Sequence, residues 1–320
     1  MRKKKNLAII NDDPWLEPYS DAINGRHQDA VNKIAELTGG TGNLVEFANA
    51  YNYYGLHRIK GGWVFREWAP NATEIYLIGQ FNDWRECAPY RLKRLDDGNW
   101  EIKLPARAMH HGDLYKLRVH WQGGEGERIP AYATRVVQDE KTYIFSAQVW
   151  DPEERYEFKV KDFVPNTAPL LIYECHIGMA QNREGVGTYE EFRLNVLPRI
   201  VADGYNAIQI MAIQEHPYYG SFGYHVSSFY AASSRFGTPE ELKHLIDDAH
   251  AAGVAVIMDI VHSHAVKNEV EGLGCFDGTG DLYFYGDDKR EHPAWDSLCF
   301  DYGKNAVLNF LLSNCKFWLE

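Results

Sequence analysis

The stretch Thr238-Pro239-Glu240-Glu241-Leu242, continuing through Gly253 into Val254-Ala255-Val256-Ile257-Met258-Asp259-Ile260-Val261-His262-Ser263-His264, decides the fold. Thr238 is an N-cap, Pro239 stands at the first helical position, and Glu241 completes a capping box. Leu242, Leu245, Ile246 and Ala249 recur at helical spacing, and Gly253 closes the helix. Val254 to Val261 then reads as a strand apolar on both faces, as buried parallel strands are.

The same unit repeats upstream. Leu170-Leu171-Ile172-Tyr173 reads as a buried strand, and Thr188 and Glu191 form a second capping box. Pro198 is expected to interrupt the helix that follows, and Gly204 to end it. Ala207 to Ile213 reads as another strand. A final helix is expected over Asn305 to Glu320, with Val307, Leu308, Leu311, Leu312 and Cys315 on one face. Strand and helix in alternation imply a parallel sheet covered by helices, either doubly wound or a (β/α)8 barrel. His176-Ile177-Gly178-Met179 holds one glycine, too few for a dinucleotide-binding loop.

Ahead of the connector Val164-Pro165-Asn166-Thr167-Ala168-Pro169 the texture differs. Short runs such as Trp63-Val64-Phe65, Ile75-Tyr76-Leu77-Ile78 and Tyr115-Lys116-Leu117-Arg118-Val119 alternate with turn clusters such as Asp96-Asp97-Gly98-Asn99. That pattern predicts a small antiparallel β-sandwich. Earlier still, Val31, Ile34, Ala35 and Leu37 fall at helical spacing. The expected division is a helical segment over 1–54, a sandwich over 55–160, and the start of an α/β domain over 161–320.

Length, 320 residues, fits about two domains. A net charge of −12 has the wrong sign for phosphate backbones or anionic membranes, so no nucleic-acid or membrane partner is expected. The aromatic content (Trp 9, Tyr 20, Phe 15) suits the C–H faces of sugars as well as large cores. Five scattered cysteines without a Cys-x-x-Cys pair argue against a disulfide framework or zinc cage. Met1-Arg2-Lys3-Lys4-Lys5 is basic, but Asn11-Asp12-Asp13-Pro14 follows too soon for a signal peptide, and no apolar run is long enough to span a bilayer. A cytoplasmic protein is expected.

Asp259 to His264 stands at the carboxyl end of the third strand, where parallel α/β folds carry their sites. His262 and His264 could share a metal, but the loops after the first two strands add only His176, Glu215 and His216, with no ligand spacing. Histidines bonded within the core are the plainer reading of the hexapeptide taken alone.

The hexapeptide joins an ordered series with Gly220-Ser221-Phe222-Gly223-Tyr224-His225-Val226 and Phe236-Gly237-Thr238-Pro239. That series resembles the α-amylase superfamily of glucan-active barrels. Trp63-Val64-Phe65-Arg66-Glu67-Trp68-Ala69-Pro70 and Gly79-Gln80-Phe81-Asn82-Asp83-Trp84 resemble the glycan-binding sandwich of glycogen and starch branching enzymes. Tyr173-Glu174-Cys175-His176-Ile177-Gly178 is similar to the eukaryotic-type subgroup.

The resemblance implies roles residue by residue. Tyr224 stacks beneath the glucose ring whose bond is cut, His264 hydrogen-bonds its hydroxyls, and Asp259 orients the catalytic apparatus. Trp84, Lys116 and Trp121 clasp helical glucan in the sandwich, whereas Trp63 and Trp68 read as core. The implied partners are α-glucans (glycogen, amylose, amylopectin), in glycogen biosynthesis, and no metal or organic cofactor is implied. The implied reaction is retaining transfer of an α-1,4 chain to a glucan 6-hydroxyl through a covalent intermediate.

The resemblance places its nucleophile and acid on strands after the third, hence beyond Glu320, and a complete barrel needs eight strands and about 250 residues. The chain is thus expected to be truncated within its catalytic barrel and inactive alone. Two alternatives share this organisation: a debranching or trehalose-releasing hydrolase, and a non-catalytic glycogen-binding protein.

Overall fold

The computed structural model describes residues 6–166 and 169–320. The basic start Met1 to Lys5 and two connector positions, Thr167 and Ala168, lie outside the described residues.

A helical segment comes first, with an 18-residue helix over Ser20–Leu37. It buries none of its residues fully, and Val31, expected on an apolar stripe, stays exposed.

The sandwich follows. One sheet runs in the order β1 (Gly55–Ile59), β2 (Gly62–Trp68), β5 (Asn99–Pro105), β4 (Lys93–Arg94). The other runs β3 (Ala72–Gly79), β6 (Leu114–Trp121), β9 (Phe145–Gln148), β8 (Val136–Gln138), with β7 (Gly124–Arg128) also on β6. Every pairing is antiparallel. Alternate residues point inward, so Trp63, Phe65, Ile75, Leu77, Leu117 and Val119 fill the space between the sheets.

Three parallel strands follow in the order β10 (Ile172–Cys175), β11 (Ala207–Ile210), β14 (Ala255–Met258), in register Ile172, Ala207, Ala255. Cys175, Ile208 and Ile210 pack under Leu242, Leu245 and Ala249 of the helix Pro239–Ala251, whose Thr238 capping box forms as its sequence requires. Full burial of such side chains is worth about 1.5–3 kcal/mol each.

Pro198 does not break the helix opened by Thr188. The turn before it widens into a π-helical segment, Phe192–Val196, which accommodates the missing amide, and the helix continues to Ala202. The third strand is shorter than the apolar run suggested. Asp259 N still bonds Ile210 O, but Val261 N turns to the Gln214 side chain.

Two small sheets build the loops: β12 (Gln214–Glu215) with β13 (Ser228–Ala232), and β15 (His264–Val266) with β17 (Ser297–Cys299) and β16 (Glu291–His292). The last helix, Asn305–Leu319, buries Val307, Phe310, Leu311, Ser313 and Asn314. Leu308, Leu312 and Cys315 of the expected face are only half-buried, because the helix is turned toward Phe229 and Tyr230.

The sandwich and the α/β part share one apolar cluster that runs from Phe65 to Tyr283 and Phe310. Polar contacts reinforce the seam. Asn71 donates to Asp277 through both N and Nδ2, and Arg128 donates twice to Cys275 O. Among the described residues no helix is long and apolar enough to cross a membrane.

Candidate functional site

Tyr224 is delivered by a glycine. Gly223 has φ +92°, and a Cβ there would meet Ala212 O at 1.7 Å, so the loop can press against the end of β11 only without a side chain. The next residue, Tyr224, donates its hydroxyl to Asp259 Oδ2 at 2.8 Å. Partial burial, then this hydrogen bond, raises the phenol to about 12, so it remains a neutral donor.

His264 joins the same group. Its Nε2–H donates to Tyr224 O at 2.9 Å, which leaves Nδ1 to accept from Ser263 Oγ at 2.9 Å. Burial holds this imidazole below its usual titration range. Of the two nitrogens, Nδ1 is the one a sugar hydroxyl could reach, by replacing the exposed Ser263 hydroxyl.

His262 turns elsewhere. Its Nε2 donates to Asn314 Oδ1 at 2.8 Å, which also accepts from Gln214 Nε2 at 3.0 Å, while Asn314 Nδ2 donates to Phe229 O. The His-x-His pair therefore splits between a structural network and the Tyr224 group. Among the described residues, the three groups close enough to share an ion are Glu86, His120 and Glu125, on the sandwich.

The other candidates near the strand ends are internally committed. Glu215 is fully buried and accepts from Ser233 Oγ, Ser234 N and His216 N, with Arg235 at 3.5 Å; burial pushes its carboxyl up. His216 donates Nδ1–H to Gln214 O, and burial lowers it to about 4. His176 is buried against the rings of Tyr219, Phe222 and Phe236, and neither nitrogen has a hydrogen-bond partner among the described residues.

In the sandwich the three expected residues do not share one open face. Trp84 is 38% exposed in a left-handed turn (φ +59°). Lys116 is buried and paired with Glu127 at 3.1 Å. Trp121, five positions further along β6, faces the other side of that strand, against Gly278 and under the Arg128 guanidinium. Trp63 is buried as expected.

A family model described as Carbohydrate-binding module 48 (Isoamylase N-terminal domain) matches residues 53–133, and one described as Alpha amylase, catalytic domain, matches residues 197–272. The chain is 47% identical to the 1,4-alpha-glucan-branching enzyme of Yarrowia lipolytica, over 98% of this chain and 46% of that one. It is 43% identical to the enzyme of that name from Dictyostelium discoideum, over 98% and 47%. Along nearly its whole length the chain is thus similar to part of the 1,4-alpha-glucan-branching enzymes.

The chain spans about half the length of the curated relatives it matches. Among solved structures, a putative alpha amylase from Salmonella typhimurium superposes with a TM-score of 0.67 at 20% identity, covering 83% of this chain and 41% of that one. A pullulanase from Bacillus acidopullulyticus gives 0.66 at 17%, covering 83% and 36%. At that identity the likeness speaks for the fold.

Reading the sequence missed one feature of the fold. A cavity of about 460 Å3 lies where helical segment, sandwich and last helix meet, lined by Tyr53, Tyr54, Trp68, Tyr132, Asn49 and Asn309. Rings and amides together suit a polyhydroxylated ligand. The tyrosines and Trp68 were legible singly, but their convergence depends on the last helix.

Proposed function

We propose that the chain is the glucan-holding portion of an enzyme that cuts α-1,4 links and rejoins the freed chain to a 6-hydroxyl. Residues 1–54, 55–160 and 161–320 then serve as helical segment, glycan-associated sandwich and first part of the catalytic barrel. The observation that carries this reading is the Tyr224, Asp259 and His264 group: a phenol hydroxyl held by a carboxylate, with an imidazole bonded to the backbone carbonyl of the same tyrosine.

In the proposed mechanism the Tyr224 ring supports a glucose face, and the Asp259 carboxylate fixes that ring by accepting a hydrogen bond from its hydroxyl. His264 bonds a sugar hydroxyl through Nδ1 once Ser263 rotates away. Glu215 is sealed inside its own donor network and Asp259 is occupied by Tyr224, and in this proposal nucleophile and proton donor are supplied by later strands of the same barrel, as the family resemblance implies. A retaining enzyme needs these two carboxylates about 5–5.5 Å apart.

The test is amylose incubated with the protein carrying its complete barrel. Transfer shifts the iodine stain without new reducing ends. A rise in reducing ends would mean hydrolysis, as in a debranching enzyme, and neither change would leave a glycogen-binding protein.

A further inference from the structure

Trp295 is 53% exposed, yet its position is fixed on several sides. It sits at the tip of the β16–β17 hairpin, beside Asp296 in the left-handed region (φ +43°). Lys267 clamps that hairpin through Glu291 at 2.8 Å and Asp296 at 3.5 Å. One face of the indole stacks on His292, with ring centroids 4.1 Å apart and planes 8° from parallel.

Two contacts join Trp295 to the Tyr224 group. Its ring lies 5.2 Å from that of His264, and its carbonyl accepts from Nε2 of His225, the residue after Tyr224. β17 pairs with β15 in the register His264 to Cys299, so the hairpin rides on the strand that carries His264. Trp15, Tyr19, Tyr143 and Tyr218 are more exposed than Trp295, but among the described residues no ring stack or side-chain hydrogen bond joins them to Tyr224 or His264.

We infer that Trp295 is an aromatic platform for a second glucose unit of the α-glucan, next to the unit over Tyr224. This rests on the proposed glucan reading of the Tyr224 group and extends it to chain-length recognition. An indole already ordered by stacking and by its hairpin loses little freedom when a sugar settles on it, which is what a specificity element requires. A platform one unit away from Tyr224 contributes to oligosaccharides and not to a single glucose.

Calorimetric titration of the chain with glucose and with maltoheptaose tests this, using Trp295→Ala, Trp295→Phe and Tyr224→Ala. Trp295→Ala is expected to weaken maltoheptaose by roughly three- to tenfold, the worth of one ring stack, and to narrow the preference for the longer sugar. Trp295→Phe should keep most of the affinity, and Tyr224→Ala should weaken both sugars alike. If Trp295→Ala binds both sugars as the wild type does while Tyr224→Ala loses them, the platform is refuted and the glucan site stands. If the wild type binds neither, both fall. Because Trp295 is exposed, an unchanged melting temperature will separate lost contact from lost fold.

Discussion

The indole of Trp121 rests on the backbone at Gly278, so closely that a Cβ at Gly278 would lie 2.1 Å from Cγ. This contact joins the sandwich to the long segment between β15 and β16, which ends in the hairpin beside His264. Gly278 also has φ +90°. Gly278→Ala therefore combines backbone strain with overpacking and should cost roughly 2–4 kcal/mol. Urea unfolding of the two proteins measures it. A change below about 0.5 kcal/mol, the level of an ordinary surface substitution, would show that the seam is loose.

Asn314 is the hub that ties the last helix to the ends of β11 and β14. Asn314→Leu keeps volume but leaves His262 Nε2 without its acceptor and Gln214 Nε2 with one of its two acceptors, while Phe229 O keeps Gln214 and Trp318 as donors. A buried polar group so stranded costs about 1–3 kcal/mol, and the variant should lose that much. Calorimetric melting would detect that loss directly, and wild-type stability would mean the network is dispensable.

Glu67 is fully buried with backbone donors alone, Trp68 N and Ala131 N, both at 2.9 Å. Burial pushes its carboxyl up to about 8 against these two bonds. The folded state thus keeps a proton that the unfolded chain releases above about 4.5. Its stabilisation is complete below that lower value, shrinks as pH rises, and is gone above about 8, a swing on the order of 4 kcal/mol. Unfolding midpoints between pH 5 and 8 should fall less steeply in Glu67→Gln than in the wild type. Parallel profiles would contradict the assignment.

Tyr224 separates stacking from hydrogen bonding. Tyr224→Phe keeps the ring and removes the donor to Asp259, so maltoheptaose affinity should drop modestly, by roughly two- to threefold. Tyr224→Ala should lose about tenfold. Equal losses in both variants would assign the role to the hydroxyl.

Local rules were readable wherever they were self-contained. Thr188, Glu191, Thr238, Pro239 and Glu241 form caps through neighbours three residues away, so the helices they open start where the sequence places them. Pro198 misled because a π turn absorbs a proline that a regular helix would not. The last helix buries Val307 and Leu311 as expected but is turned from the rest of the assigned face, because Asn314 is polar in sequence yet buried, satisfied by Gln214 and His262 from distant segments.

Within the site, Tyr224, Asp259 and His264 were legible from their motifs, and the structure brings them into one hydrogen-bonded group. Trp295 carried no sequence signal, since its meaning lies in hairpin pairing with β15. The partner of Trp121, Gly278, could not be read, because it lies in another part of the fold.

The most direct measurement is an NMR titration of the isotope-labelled chain with maltoheptaose. Amide shifts should concentrate at Tyr224, His225, Asp259 to His264 and Trp295, with smaller changes elsewhere. Shifts confined to the sandwich, or none at saturating sugar, would contradict a glucan site at these strand ends.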